Sequence, residues 1–345
     1  MPSQPLHVSL IAIPDAMAST LTGIYDALSS VERVAEWAGV DLGGPQFEVE
    51  LVGLERSEVT LASGLPLQPH RSLAEVTRTD LVVVPSLLAP NGEWEPGRYP
   101  ALVEWCVEAY ANGAALCSAC SGLLVLAETG LFDGHSCTVH FGYANEFRRR
   151  FPAVPVTPER VLLVSGEGER LITSGAATSW HDLALYLVAR YVSPLVAQAV
   201  ARFYAFQMHP EGLAPFVVFE GRTDHGDSAI ETAQRWIADH LDVPAPVEEM
   251  AQRSGLTERT FKRRFTEATG LAPIAYVQRL RVEQAKRMLE ADDAAVDDIG
   301  WRVGYEDASS FRRLFRRTVG LTPSAYRRRF RVPSFEDETG ATVVR

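Results

Sequence analysis

The sequence predicts a doubly wound α/β domain around a mostly parallel sheet, followed by an all-α domain made of two helix-turn-helix units. Three observations predict it. Apolar runs of strand length alternate with helical patterns through residues 1–208, as a parallel sheet covered by helices requires. Within residues 228–331 one segment recurs about 50 residues later with its glycine, phenylalanine, proline and tyrosine positions intact. The charge is also divided: residues 247–331 hold 18 Lys and Arg against 12 Asp and Glu, leaving 15 and 32 elsewhere, so a chain of net charge −11 joins a segment of +6 to a remainder of −17.

In chain order, His7-Val8-Ser9-Leu10-Ile11-Ala12-Ile13 is a continuous apolar run, and a helical pattern follows over residues 19–37. Residues 46–53 and 59–62 read as strands, with Ser63-Gly64-Leu65-Pro66 as a turn. Leu81-Val82-Val83-Val84 reads as a fully buried strand by its β-branched composition. A helix over 99–112, a strand over 114–117 and a helix over 121–129 come next. Strands over 160–164 and 170–173 precede helices over 179–191 and 194–208. Residues 209–227, rich in Pro, Gly and charge, read as a linker, and 332–345 as a polar tail. The tryptophans and Cys106 are most simply core.

The repeat carries the second domain. Val247 to Phe265 is echoed by Val296 to Phe315, and each copy runs into Gly-Leu-x-Pro-x-x-Tyr, at Gly270 to Tyr276 and Gly320 to Tyr326. Gly255 and Gly304 pair at an offset of 49, whereas Phe265 and Phe315 pair at 50, so one residue is inserted after the second glycine. In each copy a short helix turns Met250 or Ile299 inward and ends at a glycine able to adopt the left-handed turn. A capping residue, Thr257 or Asp307, opens the next helix. That helix buries Phe261 and Phe265, or Phe311 and Phe315, and exposes Arg259, Lys262 and Arg263, or Arg312, Arg313, Arg316 and Arg317. A cationic face opposite an apolar stripe suits a helix that reads the major groove of double-stranded DNA. Residues 273–290 read as a rigid helix holding the two readers apart.

Residues 228–330 resemble the DNA-binding domain of AraC/XylS-type regulators. The resemblance puts the base-reading positions at Arg259, Lys262 and Arg263, and at Ser309, Ser310, Arg312 and Arg313. One departure is Gly300, where the family has alanine; Trp301 beside it is expected to fill the gap.

The first domain has one informative segment, Cys117-Ser118-Ala119-Cys120-Ser121-Gly122, where a strand runs straight into a helix. A cysteine at such a turn is expected to be strained, with its sulfur exposed and its pKa lowered by the helix N-terminus. His140 lies twenty residues on and is a candidate partner for the thiol. Together with the run Leu126-Ala127-Glu128-Thr129-Gly130-Leu131-Phe132-Asp133-Gly134 and with Thr173-Ser174-Gly175 leading to Asp182, this resembles the flavodoxin-like ThiJ/PfpI branch of the amidotransferase-like superfamily. The order of both halves is similar to GlxA-type regulators. Enzymes of that superfamily carry a glutamate after the first strand; residues 16–23 hold no carboxylate, and Thr20 or Ser19 stands nearest. The resemblance therefore implies a binding pocket formed by Thr20, Cys120, Ser121, Gly122 and His140, not a catalyst. Alternatives are a hydrolase or hydratase using Cys120 and His140, and a sulfenic-acid sensor at Cys120. A redox pair or metal site built from Cys117, Cys120, His135, Cys137 and His140 suits the expected geometry poorly, and neither metal nor cofactor is expected.

No apolar run reaches the ~20 residues of a membrane span, no signal peptide is visible, and four cysteines do not make a disulfide framework. The expectation is a cytoplasmic regulator, an activator by resemblance. Its expected partners are promoter DNA, a small-molecule effector, a second copy of itself and RNA polymerase.

Overall fold

The computed structural model describes residues 4–89, 93–210, 212–223, 225–331, 335–336 and 342–344. The chain divides into two compact units, Met1–Leu213 and Ala214–Arg345.

The first unit is built on a seven-stranded sheet. Its strands are β1 (Leu6–Ala12), β2 (Phe47–Gly53), β5 (Arg71–Ser72), β6 (Leu81–Val84), β7 (Ala115–Ala119), β8 (Leu162–Ser165) and β9 (Leu171–Ser174), in the order β5-β2-β1-β6-β7-β9-β8. Every pairing is parallel except β8 with β9. Strands β6 and β9 are buried at every position, and for β6 this explains why it reads as an unbroken apolar run. Helices α1 (Ala18–Ser29), α2 (Val31–Ala38), α3 (Pro100–Ala111), α4 (Leu123–Ala127), α5 (Ala144–Arg150), α6 (Trp180–Tyr191) and α7 (Pro194–Tyr204) complete the unit. Strand order reverses between β1 and β6, the kind of switch point beyond whose strand ends open α/β sheets bind ligands.

Several expectations shift. The helix expected over 19–37 breaks at Ser30, whose hydroxyl bonds Ala27 O. The strand expected over 59–62 shrinks to β3 (Val59–Thr60), which pairs in a separate hairpin with β4 (Pro66–Leu67). The helix expected to 208 ends at Tyr204, where Ala205 takes a positive φ. Strand β5 gave no apolar signal because it has only two residues, one of them arginine.

The second unit is all-helical apart from a short ladder of β10 (Phe335–Glu336) and β11 (Thr342–Val344). The rest of the segment read as a polar tail, 332–334, 337–341 and 345, lies outside the described residues. Helices α8 (Ser228–Asp239), α9 (Pro246–Arg253) and α10 (Glu258–Thr269) form the first reader. Helix α11 (Pro273–Ala291) connects it to the second, made of α12 (Val296–Arg302), α13 (Ala308–Val319) and α14 (Pro323–Phe330). Two separate cores result. One centres on Met250, Phe261, Phe265 and Tyr276, the other on Ile299, Phe311, Phe315 and Tyr326. Helix α11 serves both, with Tyr276 and Val277 in the first and Val282, Ala285 and Leu289 in the second.

Described residues of the segment read as a linker are packed into one unit or the other. Leu213 is fully buried in the first. In the second, Val217 O accepts from Lys286 Nζ at 2.7 Å, and Phe219 packs edge-on against Tyr276.

Candidate effector pocket and nucleic-acid interface

The elbow begins where β7 ends. Cys120 has φ 56°, a strained value for a residue with a Cβ, and a 3-10 turn over Cys120–Gly122 leads into the five-residue α4. The helix expected over 121–129 is therefore much shorter. Gly122 is required by close approach: a Cβ there would sit 2.5 Å from Val84 O and 2.6 Å from Pro85 O. Ser121 Oγ donates to Leu87 O and accepts from Leu87 N–H at 2.8 Å, binding the elbow to the loop after β6. That loop is tied in turn to the one after β1, through Met17 N–H to Ser86 O (2.8 Å) and Leu88 N–H to Asp15 O (2.8 Å).

The thiol departs from expectation. Cys120 is 3% exposed, and burial pushes its pKa up, partly offset by the Ser86 and Ser121 hydroxyls and the Ser121 N–H. The cost of burying a thiolate outweighs these donors and a turn too short to carry a macrodipole. His140 does not engage the sulfur by a hydrogen bond among the described residues. Its Nδ1 accepts from Gly142 N–H at 3.1 Å and its ring stacks on Phe141, while burial lowers its pKa. Asp182 pairs with His209, at 2.8 Å to Nδ1. Thr20 is buried in the first turn of α1, and no hydrogen bond among the described residues ties it to Cys120. Cys137 Sγ donates to His135 O, and Cys117 lies wholly buried in β7. Among the described residues no three metal-ligating side chains converge.

Three neighbours escaped the sequence reading. Ser86 is fully buried beside Cys120, and apart from the thiol its Oγ has no hydrogen-bond partner among the described residues. Tyr143 stands within electrostatic range of Cys120, and its hydroxyl takes the Ala89 N–H. Asp15 is buried and holds Arg98, with Nη2–Oδ1 3.0 Å, and the Tyr99 hydroxyl at 2.7 Å. Burial and the adjacent carboxylate push Tyr99 up to about 12. The residue after Pro14 was the available signal for Asp15; single serines and tyrosines offer none.

The second unit keeps the expected faces. Phe261, Phe265, Phe311 and Phe315 are fully buried, while Arg259, Lys262, Arg263, Ser309, Arg312 and Arg313 are exposed and Ser310 is half-buried. Four of these cations are held by neighbours one helical turn away or on the adjoining helix. Lys262 pairs with Glu258, and Arg263 with Glu267 at 2.8 Å. Arg312 Nη2 reaches Asp297 at 2.6 Å, and Arg313 Nη2 donates to Ser310 Oγ at 3.0 Å. Exposed pairs of this kind are worth about 0.3–0.5 kcal/mol on a helix, so a phosphate or base edge displaces them at little cost.

The two caps differ. Asp307 accepts from the N–H groups of Ser309 (3.1 Å) and Ser310 (2.9 Å), and the Ser310 hydroxyl together with these bonds lowers its pKa. Thr257 makes no such bond; its hydroxyl donates to Thr260 Oγ1. The Gly300 gap is filled by Phe311, whose Cδ1 would lie 3.0 Å from an added Cβ, and not by Trp301, which is 59% exposed. Trp37 is exposed too, so neither of these tryptophans is core.

Comparison with known proteins agrees with this geometry. The DJ-1/PfpI family profile matches residues 21–190, and the profile described as a helix-turn-helix domain matches residues 250–329. The HTH-type transcriptional regulator CdhR of Pseudomonas aeruginosa is 28% identical over 300 residues, covering 82% of this chain and 81% of its own. The chain belongs to the AraC-type regulators that carry a DJ-1/PfpI domain. Another relative of this regulator is the HTH-type transcriptional regulator ArgR of the same species, 26% identical over 88% of each chain. The isonitrile hydratase of Pseudomonas putida is 27% identical over 71% of this chain and 96% of its own. In the regulator's described residues, no helix is long and apolar enough to cross a membrane.

Proposed function

We propose that this regulator activates transcription in the cytoplasm in response to a small metabolite. The metabolite is held beyond the carboxyl ends of β1, β6 and β7, against Thr20, Cys120, Ser121, Gly122 and His140, with Ser86 and Tyr143 added to that set. The observation that carries the DNA half is the pair of readers, each exposing cations that only surface carboxylates or a serine restrain. Arg259, Lys262 and Arg263 read one major-groove segment; Ser309, Ser310, Arg312 and Arg313 read the next. The buried Ser86 hydroxyl supports the pocket, because it reaches the Cys120 sulfur and keeps an acceptor position that a ligand's polar group can fill. A homodimer suits a regulator on repeated half-sites, since the second contact gains effective concentration from the first, and RNA polymerase is the further partner that activation requires.

The test is a pull-down of genomic fragments by the full-length chain at rising salt, with Arg313→Ala alongside. Enrichment of a few promoters that survives moderate salt and vanishes in the variant is the expected result. Diffuse, salt-sensitive binding by both proteins would defeat the reading.

A second reading, a cysteine hydratase or hydrolase, draws on the strained Cys120 and the isonitrile hydratase relative. Against it stand the raised thiol pKa and a His140 bonded elsewhere. Turnover of isonitriles or amides that needs both Cys120 and His140 would favour it.

A further inference from the structure

Arg281, on α11, has a side chain that engages both readers at once. It is 7% exposed, near the middle of the connecting helix. Its Nε donates to Leu241 O at 2.7 Å and its Nη2 to Val243 O at 2.9 Å, both carbonyls of the α8–α9 turn in the first reader. Its guanidinium also lies over the ring of Tyr305, 5.2 Å from the centroid, in the turn of the second reader. Gly304, with φ 86°, brings that turn so close that an added Cβ would sit 2.5 Å from Leu241 O and 2.6 Å from Arg281 Nη2. Burial lowers the Arg281 pKa, yet a guanidinium stays charged, so the two carbonyls and the ring are what replace its water. Breaking either contact leaves a buried charge underpaired, which opposes any rotation of one reader against the other.

We propose that Arg281 is a positioning residue that fixes the phase between the recognition helices α10 and α13, and so makes the regulator selective for the spacing between its two DNA contacts. Helix α11 alone sets a separation of about 27 Å but leaves torsion about its own axis open to bending at each end. The Leu241–Arg281–Tyr305 bridge removes that freedom. This rests on the two readers binding DNA as proposed above.

The test uses the full-length chain and duplexes that the wild type itself selects from a random-sequence pool, with footprinting to locate the two contacted segments. A single base pair inserted between them displaces the second by about 3.4 Å and about 35°. Affinity is then measured for parent and inserted duplexes, and only their ratio is compared between proteins. Partial unfolding lowers affinity for both duplexes equally and cancels in that ratio. For the wild type the insertion is expected to cost at least about tenfold, comparable to a mismatched base pair. For Arg281→Met it is expected to cost less than about threefold. Arg281→Lys keeps the charge but cannot span both carbonyls, so it should fall between the two, and it carries the comparison if Arg281→Met does not fold. An undiminished penalty in the variants would overturn the proposal, as would the absence of any penalty in the wild type. If the wild type enriches no sequence at all, the DNA-reading assignment itself falls before any variant is compared.

Discussion

Lys286→Met should be among the most destabilising single changes in the second unit, although lysine to methionine inside a helix looks harmless in sequence. Lys286 and Glu283 lie one turn apart on α11 with side chains only 5% and 10% exposed, and Nζ stands 3.2 Å from both carboxylate oxygens. Nζ also donates to Val217 O, and Glu283 accepts the Phe219 N–H. Removing the ammonium leaves a buried carboxylate with that N–H as its remaining support, a loss of about 3–5 kcal/mol near pH 8. Burial already raises the Glu283 pKa, against the opposing pull of Lys286. The sign follows: a carboxyl whose folded pKa exceeds its unfolded one holds its proton more tightly when folded. Its charged form therefore costs stability at high pH, and the cost fades as pH falls through the folded value toward the unfolded one. Without Lys286 the folded value climbs further, so the penalty of Lys286→Met should shrink between pH 8 and pH 5. Hydrogen exchange of the α11 amides in the full-length chain, corrected for intrinsic rates, measures the opening free energy locally. Protection should drop by about two to three and a half decades at pH 8 and recover on acidification. Lys286→Met with Glu283→Gln should lose only about 1–2 kcal/mol, since glutamine still accepts the Phe219 N–H and only Val217 O is left without its donor. A double variant no better than the single one, or a penalty indifferent to pH, would refute the reasoning.

The remaining predictions are more local. Lys262→Ala and Arg313→Ala should each cost about 1–3 kcal/mol of discrimination between a selected duplex and its scrambled version; equal losses on both duplexes would make these phosphate contacts. Because burial raises the Cys120 pKa, its alkylation by iodoacetamide in the folded chain, followed by peptide mapping, should still be accelerating at pH 9. A rate already saturated at pH 7 would mean that the thiolate is stabilised after all. Cys120→Ser should leave DNA affinity within about twofold, as its hydroxyl suits a pocket that already holds Ser86 and Ser121. Gly122→Ala should destabilise the first unit by at least about 1–3 kcal/mol, because the clash is with backbone oxygens at 2.5 and 2.6 Å that no rotamer relieves; an unchanged melting temperature would show that β6 yields at its end.

The two-unit architecture was legible because it is written in buried residues. A parallel sheet covered on both faces forces continuous apolar strands such as Leu81–Val84, and duplicated cores force phenylalanines at matching positions in α10 and α13. The site was legible only in part. The strain at Cys120 could be read from its place between β7 and a glycine that must pass under Val84 O. Its burial could not, because the groups around the thiol, Ser86 and Tyr143 among them, come from separate elements, after β6 and before α5. The hydrogen bond expected between His140 and the thiol is absent among the described residues for a related reason. Proximity in sequence placed His140 near the thiol, whereas the turn that begins there uses its Nδ1 to take the Gly142 N–H.

What sequence reasoning missed in the second unit has a common physical origin. A charged residue in a helical pattern is assigned to solvent, because desolvating it alone costs several kcal/mol. Arg281, Glu283 and Lys286 escape that rule through partners distant in sequence: Leu241 and Val243, Phe219, and Val217. Those partners are backbone groups in the α8–α9 turn and in the segment read as a linker, and a backbone carbonyl leaves no mark in a residue pattern. The same segments are therefore where side-chain identity says least and geometry most. Residues 217–219 are a case in point: their short apolar run looks incidental until Lys286 and Glu283 are seen to use its carbonyl and its N–H. Gly221 makes the argument independently of any charge, since a Cβ there would lie 1.8 Å from the Tyr276 hydroxyl. The chain before α8 is thus a fitted part of the DNA-reading unit, and a fragment cut at Ser228 would expose the buried Lys286–Glu283 pair that this strap covers.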